Sequence, residues 1–291
     1  MQLTLEEFKN KRVGVIFSSG FFGFFAHAGC LKALEELGIR PAGYAGASSG
    51  AIVAAFAAAG LSADSIGNAF FKLTKKDFWD PEPWYKTAWS VLKMFRGSLG
   101  YLEGNRFRDL LDTYLPVKRF EGLITPCVIV AANLSKKRRE VFTTGSIADA
   151  VQASGTIPWT FKMKKIGDEY FLDGGLIDKA PVEALRKHVN AQVIIVHYIT
   201  SQELTESSNS FLLKRFSPQS AFRLAMSIER HEHYCAQKEL AEQQGAVVIE
   251  LKPVLPMVTP DHLERGREAF TKAYEQTVKE LKSWGVEEFR S

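Results

Sequence analysis

The chain is predicted to fold as a three-layer α/β/α domain around a mostly parallel central sheet, and three observations predict it. Short, continuous apolar runs rich in β-branched residues recur at Val13–Phe17 (VGVIF), 127–132 (CVIVAA), 193–198 (VIIVHY) and 246–251 (AVVIEL). Runs without polar alternation suit strands covered on both faces. Segments of helical character lie between them, and strands alternating with helices indicate a parallel sheet. The first run also stops abruptly at Ser18-Ser19-Gly20, as a strand does when it empties into a loop.

Residues 26–38 read as a helix whose LKALEELG end closes on a glycine. Residues 43–46 (GYAG) are a short strand or loop. Residues 50–59 (GAIVAAFAAA) form an alanine-rich helix, buried on most faces. Residues 72–101 differ in character, with Trp79, Trp84, Trp89, several lysines and two prolines. Within them Trp84, Ala88, Leu92 and Phe95 share one helical face, flanked by Lys86 and Lys93. That stripe suits a helix packed on the core, or a lid or interfacial segment over an apolar site. An amphipathic helix over 105–114, a serine-capped helix over 146–153 and a short strand at 170–172 follow. A polar, serine-rich loop is expected over 201–220 and an amphipathic helix over 262–284. No repeat or low-complexity tract divides the chain, so residues 1–291 are read as one domain.

The bulk composition is ordinary for a globular protein, with 46% hydrophobic and 24% charged residues among 291. A net charge of +4 does not point to nucleic acid, and mildly favours an anionic surface such as a phospholipid membrane. Cys30, Cys127 and Cys235 are odd in number and widely spaced, so no disulfide framework is implied and a reducing compartment fits. Residues 1–12 lack the apolar core of a signal peptide, and no run of about 18 apolar residues appears. A cytoplasmic protein with at most peripheral membrane contact is the expectation. Oligomeric state is not legible.

Gly46-Ala47-Ser48-Ser49-Gly50 fits G-x-S-x-G. In that pattern the serine sits on a sharp strand-to-helix turn that projects its Oγ, and small neighbours permit the strain and the close approach of the helix. The bland alternative is a tight glycine turn with Ser48 as a helix N-cap. Ser49 is the adjacent, weaker nucleophile candidate. A serine hydroxyl needs a base. Asp173-Gly174-Gly175, after an aromatic strand end, offers one, although Asp-Gly is also a common turn signal.

Taken together, His27-Ala28-Gly29, the helix LKALEELGI, GASSG, ASGTIP at 153–158 and DGGL at 173–176 resemble the patatin-like phospholipase family in its bacterial form. The likeness runs over 13–50 and 142–182. It implies a patatin-like fold and a lipid acyl hydrolase with a Ser48–Asp173 dyad, an acyl-enzyme intermediate, and a lipid or acyl ester as partner. No metal or cofactor is implied. Gly46 and Gly50 would form the nucleophile elbow and Gly174 and Gly175 the DGG motif. Gly20, Phe21, Phe22 and Gly23 would form the oxyanion loop. That loop departs from the family pattern: Gly23 stands where a basic residue is usual, and Ser19 and Phe21 replace glycines. Lys179 replaces a frequent asparagine and reads as a solvated lysine.

Other readings compete. An α/β-hydrolase triad could use Ser48 and Asp173 with His197 or His231. A nucleotide-binding loop at 20–24 fails the glycine fingerprint, with only Gly20 and Gly23 present. A lipid-binding protein with weak or no turnover is compatible with the altered loop. His231 and Cys235 share a helix face at i, i+4 but lack a second ligand set, and read as surface residues. His27 and His197 read as core histidines, and the phenylalanines at 21, 22, 24 and 25 as acyl-pocket lining or core.

Overall fold

A computed structural model describes residues 8, 11–81, 83, 100–201, 204 and 218–285. The stripe from Trp84 to Phe95 and most of the serine-rich stretch lie outside the described residues. The main sheet is built from β1 (Val13–Phe17), β2 (Gly43–Gly46), β4 (Cys127–Asn133), β5 (Arg138–Phe142), β7 (Lys164–Ile166), β8 (Glu169–Leu172), β9 (Val193–His197) and β10 (Val247–Leu251). Its order is β10-β9-β1-β2-β4-β8-β7, with β5 also paired to β4. The five strands β10 to β4 are parallel, whereas β5, β7 and β8 join antiparallel. A separate pair joins β3 (Gly100–Leu102) to β6 (Trp159–Phe161).

Alternate residues of the parallel strands face opposite layers, as the pleat requires. Val15, Phe17, Ile129, Ile195 and Ile249 pack into one core with the helices α1 (Phe24–Glu36), α2 (Ser49–Ala58), α3 (Ala63–Phe71) and α8 (Gly266–Ser283). Ile16, Ala45, Val128, Ile194 and Val196 pack into a second core against α6 (Val182–Val189) and α7 (Pro218–Gln243). Helices on both faces bury β1, β2, β4 and β9 throughout, which explains their apolar runs, while Val247 and Glu250 of β10 are half-buried. Two further helices, α4 (Asn105–Tyr114) and α5 (Ile147–Ser154), flank the first layer.

Local chemistry sets several boundaries. Ser146 accepts the Asp149 N–H at 3.2 Å and opens α5. α4 starts after Gly104 and takes its cap from afar: both Asp80 carboxylate oxygens accept the N–H groups of residues 104 to 106, the shortest bond at 2.7 Å from Asn105. An acidic group at a helix N-terminus is favourable there. Cys30, Cys127 and Cys235 are free thiols.

Candidate active site

The C-terminal ends of β1, β2 and β9 meet at one edge of the sheet, where parallel α/β folds build their sites. β2 ends at Gly46 and α2 begins at Ser49, so Ala47 and Ser48 alone make the turn. Ser48 has φ 53° and ψ −121°. A non-glycine residue held there costs on the order of 1–3 kcal/mol. Ser48 occupies the N-cap position, but its side chain makes no capping bond. Its N–H donates to Ser154 Oγ at 2.8 Å. The elbow closes because Gly50 has no side chain: a Cβ there would lie 2.0 Å from Phe17 O. Gly46 in turn lies under Gly50, with only 2.4 Å between its would-be Cβ and that residue's backbone.

Asp173 reaches the same edge from the opposite direction, at the end of antiparallel β8. Its N–H donates to Thr156 O at 2.8 Å. Gly174 lets the turn press against β4, since a Cβ there would meet Val130 O at 2.0 Å. Asp173 Oδ1 accepts the Gly175 N–H at 2.7 Å. Oδ2 is buried and has no hydrogen bond of standard geometry. The Ser48 hydroxyl is close enough to stabilise the charged carboxylate without being aligned on it, and such bonds commonly tighten only with substrate bound. Burial pushes the Asp173 carboxyl up to about 6, against the Ser48 hydroxyl, the Gly175 N–H and the Arg230 charge, which pull it down.

The loop leaving β1 faces this pair. Gly23 N–H is engaged by Gly20 O at 2.8 Å. Among the described residues the N–H groups of Gly20, Phe21 and Phe22 donate no hydrogen bond. Phe22 holds φ 52°, left-handed and strained. The loop's base is tied down firmly. Ser18 N–H donates to His197 O, and Ser19 N–H to Lys179 O at 2.8 Å. His27 Nε2 lies 2.8 Å from Ser18 O, and its Nδ1 lies 2.7 Å from His197 Nδ1. The carbonyl can only accept, so His27 donates from Nε2 and His197 donates from Nδ1 to His27. Burial holds His27 well below its usual range and lowers His197 to about 3. Both are neutral, and neither is bonded to Ser48 or Asp173. His231 is bonded elsewhere, 2.9 Å from the Tyr198 hydroxyl.

Ser48, Ser49, Gly20, Phe21 and Phe22 open on a cavity of about 110 Å³ whose walls are almost wholly apolar, with Phe24, Ile52, Phe70 and Phe161 among them. Phe21, Phe22 and Phe24 therefore line it, whereas Phe25 turns into the core against Phe70 and Phe71. Lys179 is not the solvated lysine of the sequence reading. It is 3% exposed, its Nζ donates to Ser201 Oγ at 2.7 Å, and it lies 4.9 Å over the Tyr198 ring. Among the described residues no group of three or more His, Cys, Asp or Glu could hold a metal, and no helix is long and apolar enough to cross a membrane. Ser154 and Arg230 were not singled out from sequence. Ser154 lies within the ASGTIP motif, but Arg230 has no local signal at all.

The site thus brings together a strained serine that lines an apolar cavity and a buried carboxylate beside it. The chain belongs to the patatin-like phospholipase family, whose profile matches residues 15–186. An uncharacterized NTE family protein of Mycobacterium tuberculosis is 27% identical over 192 residues, covering 66% of this chain and 50% of its own. Lysophospholipase NTE1 of Cryptococcus neoformans is 25% identical over 187 residues, covering 64% of this chain and 11% of that protein. The match thus spans about half the length of this mycobacterial relative, and 30% of another from the same organism. Among solved structures, VipD from Legionella pneumophila aligns with a TM-score of 0.49 at 17% identity, covering 94% of this chain and 67% of its own.

Proposed function

We propose that this chain is a serine lipid acyl hydrolase, of the phospholipase A, lysophospholipase or esterase kind, with Ser48 as nucleophile and Asp173 as base. The observation that carries the reading is the pairing of Ser48, strained at φ 53° and free of any capping role, with a buried carboxyl pushed up to about 6. A base poised near the working pH takes a proton most effectively.

Ser48 Oγ attacks the ester carbonyl carbon as its proton passes to Asp173. The C=O π electrons move onto oxygen. The unengaged N–H groups of Gly20, Phe21 and Phe22 receive that oxyanion, and preorganised donors of this kind are worth several kcal/mol. The C–O bond to the leaving alcohol or lysolipid then breaks, and Asp173 returns the proton to that oxygen. Water attacks the acyl-enzyme by the same route and releases the fatty acid, which regenerates Ser48. No histidine is needed. The apolar cavity holds the acyl chain, and its mouth meets a lipid surface through Phe21, which is 60% exposed. The whole chain acts as one patatin-like unit in a reducing, cytoplasmic setting.

The test is covalent labelling by a long-chain fluorophosphonate, read by peptide mass spectrometry. Labelling at Ser48, absent in Ser48→Ala and sharply reduced in Asp173→Asn, is the expected result. No labelling of the folded wild type would overturn the reading in favour of lipid binding without turnover, the alternative that the strained Phe22 in the oxyanion loop favours.

A further inference from the structure

We propose that Arg230 is a positioning residue for this dyad: α7 holds its guanidinium against the Asp173-Gly174-Gly175 turn so that the charge keeps the Asp173 carboxylate in its ionised, Ser48-facing state. The inference rests on the dyad reading above. The guanidinium is fixed at three points. Nε donates to Met226 O at 3.0 Å, Nη2 to Ser227 Oγ at 2.9 Å, and Nη1 reaches Gly175 O at 3.4 Å. Ser227 is itself buried. Gly175 in turn gives its N–H to Asp173 Oδ1 at 2.7 Å. One residue therefore separates the cation from the carboxylate.

Among the described residues Arg230 has no carboxylate partner of its own. Its helix neighbours Glu229 and Glu232 are exposed and, at i−1 and i+2, do not share its face. The loop over Ser48 carries no charge, reading SSGFFGFF from 18 to 25. On β4 and α5, the buried polar side chains are Asn133, Gln152 and Ser154, and all three are neutral. Asp178, five residues on from Asp173, is taken by Arg139 at 2.6 Å and Gln237 at 2.9 Å, with His233 also acting on it. Lys179 is turned away toward Ser201. Arg230 also acts on the Tyr198 hydroxyl, whose own titration burial drives far above the working range. Among the described residues, Arg230 is the charged group whose field reaches Asp173. A cation there opposes burial, which favours the protonated acid.

The effect has a signature that a packing role lacks. Without the cation Asp173 protonates at higher pH, so the acid limb of the rate moves up while the alkaline plateau stays. The experiment measures the second-order rate of Ser48 labelling by an uncharged long-chain fluorophosphonate on the full chain, from about pH 5 to pH 9. Wild type, Arg230→Gln, Arg230→Lys, Ser227→Ala and Asp173→Asn are compared. Expected for Arg230→Gln is a limb raised by roughly half a unit or more, hence a loss of about twofold near pH 6, approaching about threefold by pH 5, and little near pH 8.5. Arg230→Lys restores the wild-type limb, and Ser227→Ala moves it part of the way up. An uncharged probe removes any role in gripping an anionic head group. A limb at the wild-type position in Arg230→Gln, whether the rate is unchanged or uniformly lower, overturns the inference and leaves the dyad standing if Asp173→Asn still suppresses labelling. An unlabelled wild type overturns both.

Discussion

Replacing Asp173 by asparagine should stabilise the folded protein at neutral pH while suppressing its chemistry. The carboxyl ordinarily titrates at 3.8, and burial raises it to about 6 in the fold. A raised pKa means that the native state binds the proton more tightly than the unfolded chain does. The associated stability is fully present below the unfolded value and is lost as the pH climbs through the folded one. A shift of roughly two units at 1.36 kcal/mol each makes the ionised carboxylate cost about 3 kcal/mol above pH 7. Asparagine keeps the acceptor for the Gly175 N–H and carries no charge to desolvate. Thermal unfolding of wild type and Asp173→Asn at about pH 7.5 should therefore show the variant melting about 5 °C higher. At about pH 5 the gain should fall to roughly half, because part of the wild-type population has already taken up its proton. A variant no more stable than wild type at the higher pH, or one whose gain ignores pH, would refute the claim that this carboxylate is held ionised at a cost to the fold.

Other outcomes follow from the same geometry. Labelling of Ser48 should fall about tenfold per pH unit below pH 6, tracking Asp173, and a flat profile down to about pH 4.5 would contradict the assignment of the base. Gly50→Ala places a methyl 2.0 Å from Phe17 O, so it should abolish labelling and lower stability by about 1–3 kcal/mol or more, read by labelling and denaturant unfolding. Ser154→Ala leaves the Ser48 N–H without its acceptor, and should cost about 1–3 kcal/mol and slow labelling by an order of magnitude. His231→Gln should label at the wild-type rate, whereas a triad using that histidine would lose labelling altogether.

The parts of the fold legible in the sequence are those whose chemistry is local. β1, β4 and β9 are buried on both faces and show as nearly continuous apolar runs, and β10 departs only at the half-buried Val247 and Glu250. Of the antiparallel strands, β8 was expected at 170–172, whereas β5 and β7 went unread because they do not look like core. β5 reads RREVF and is largely exposed or half-buried, and β7 is three residues of KKI. α7 runs for 26 residues without a single-faced apolar stripe, since only scattered positions such as Tyr234 and Ala241 reach the core. The candidate pair was visible because Ser48 and Asp173 both lie in glycine-bounded motifs, whose glycines serve close backbone approach. Ser154 and Arg230 were not, because Ser154 meets Ser48 across 106 residues of chain and Arg230 meets Gly175, next to Asp173, across 55. No spacing rule encodes such a contact.

The family profile's match ends at residue 186, but the sheet does not. β1, whose loop faces the candidate nucleophile, has β2 on one side and β9 on the other. A protein cut at the end of the family match would turn this central strand into a naked edge, with a row of amide and carbonyl groups open to any passing strand. It would also strip His27 of its donor and Ser18 of the carbonyl that anchors it. The stretch that the family profile matches is therefore smaller than the unit of folding. Any expression fragment or domain graft that is to retain the site must carry the chain through β9, β10 and α8.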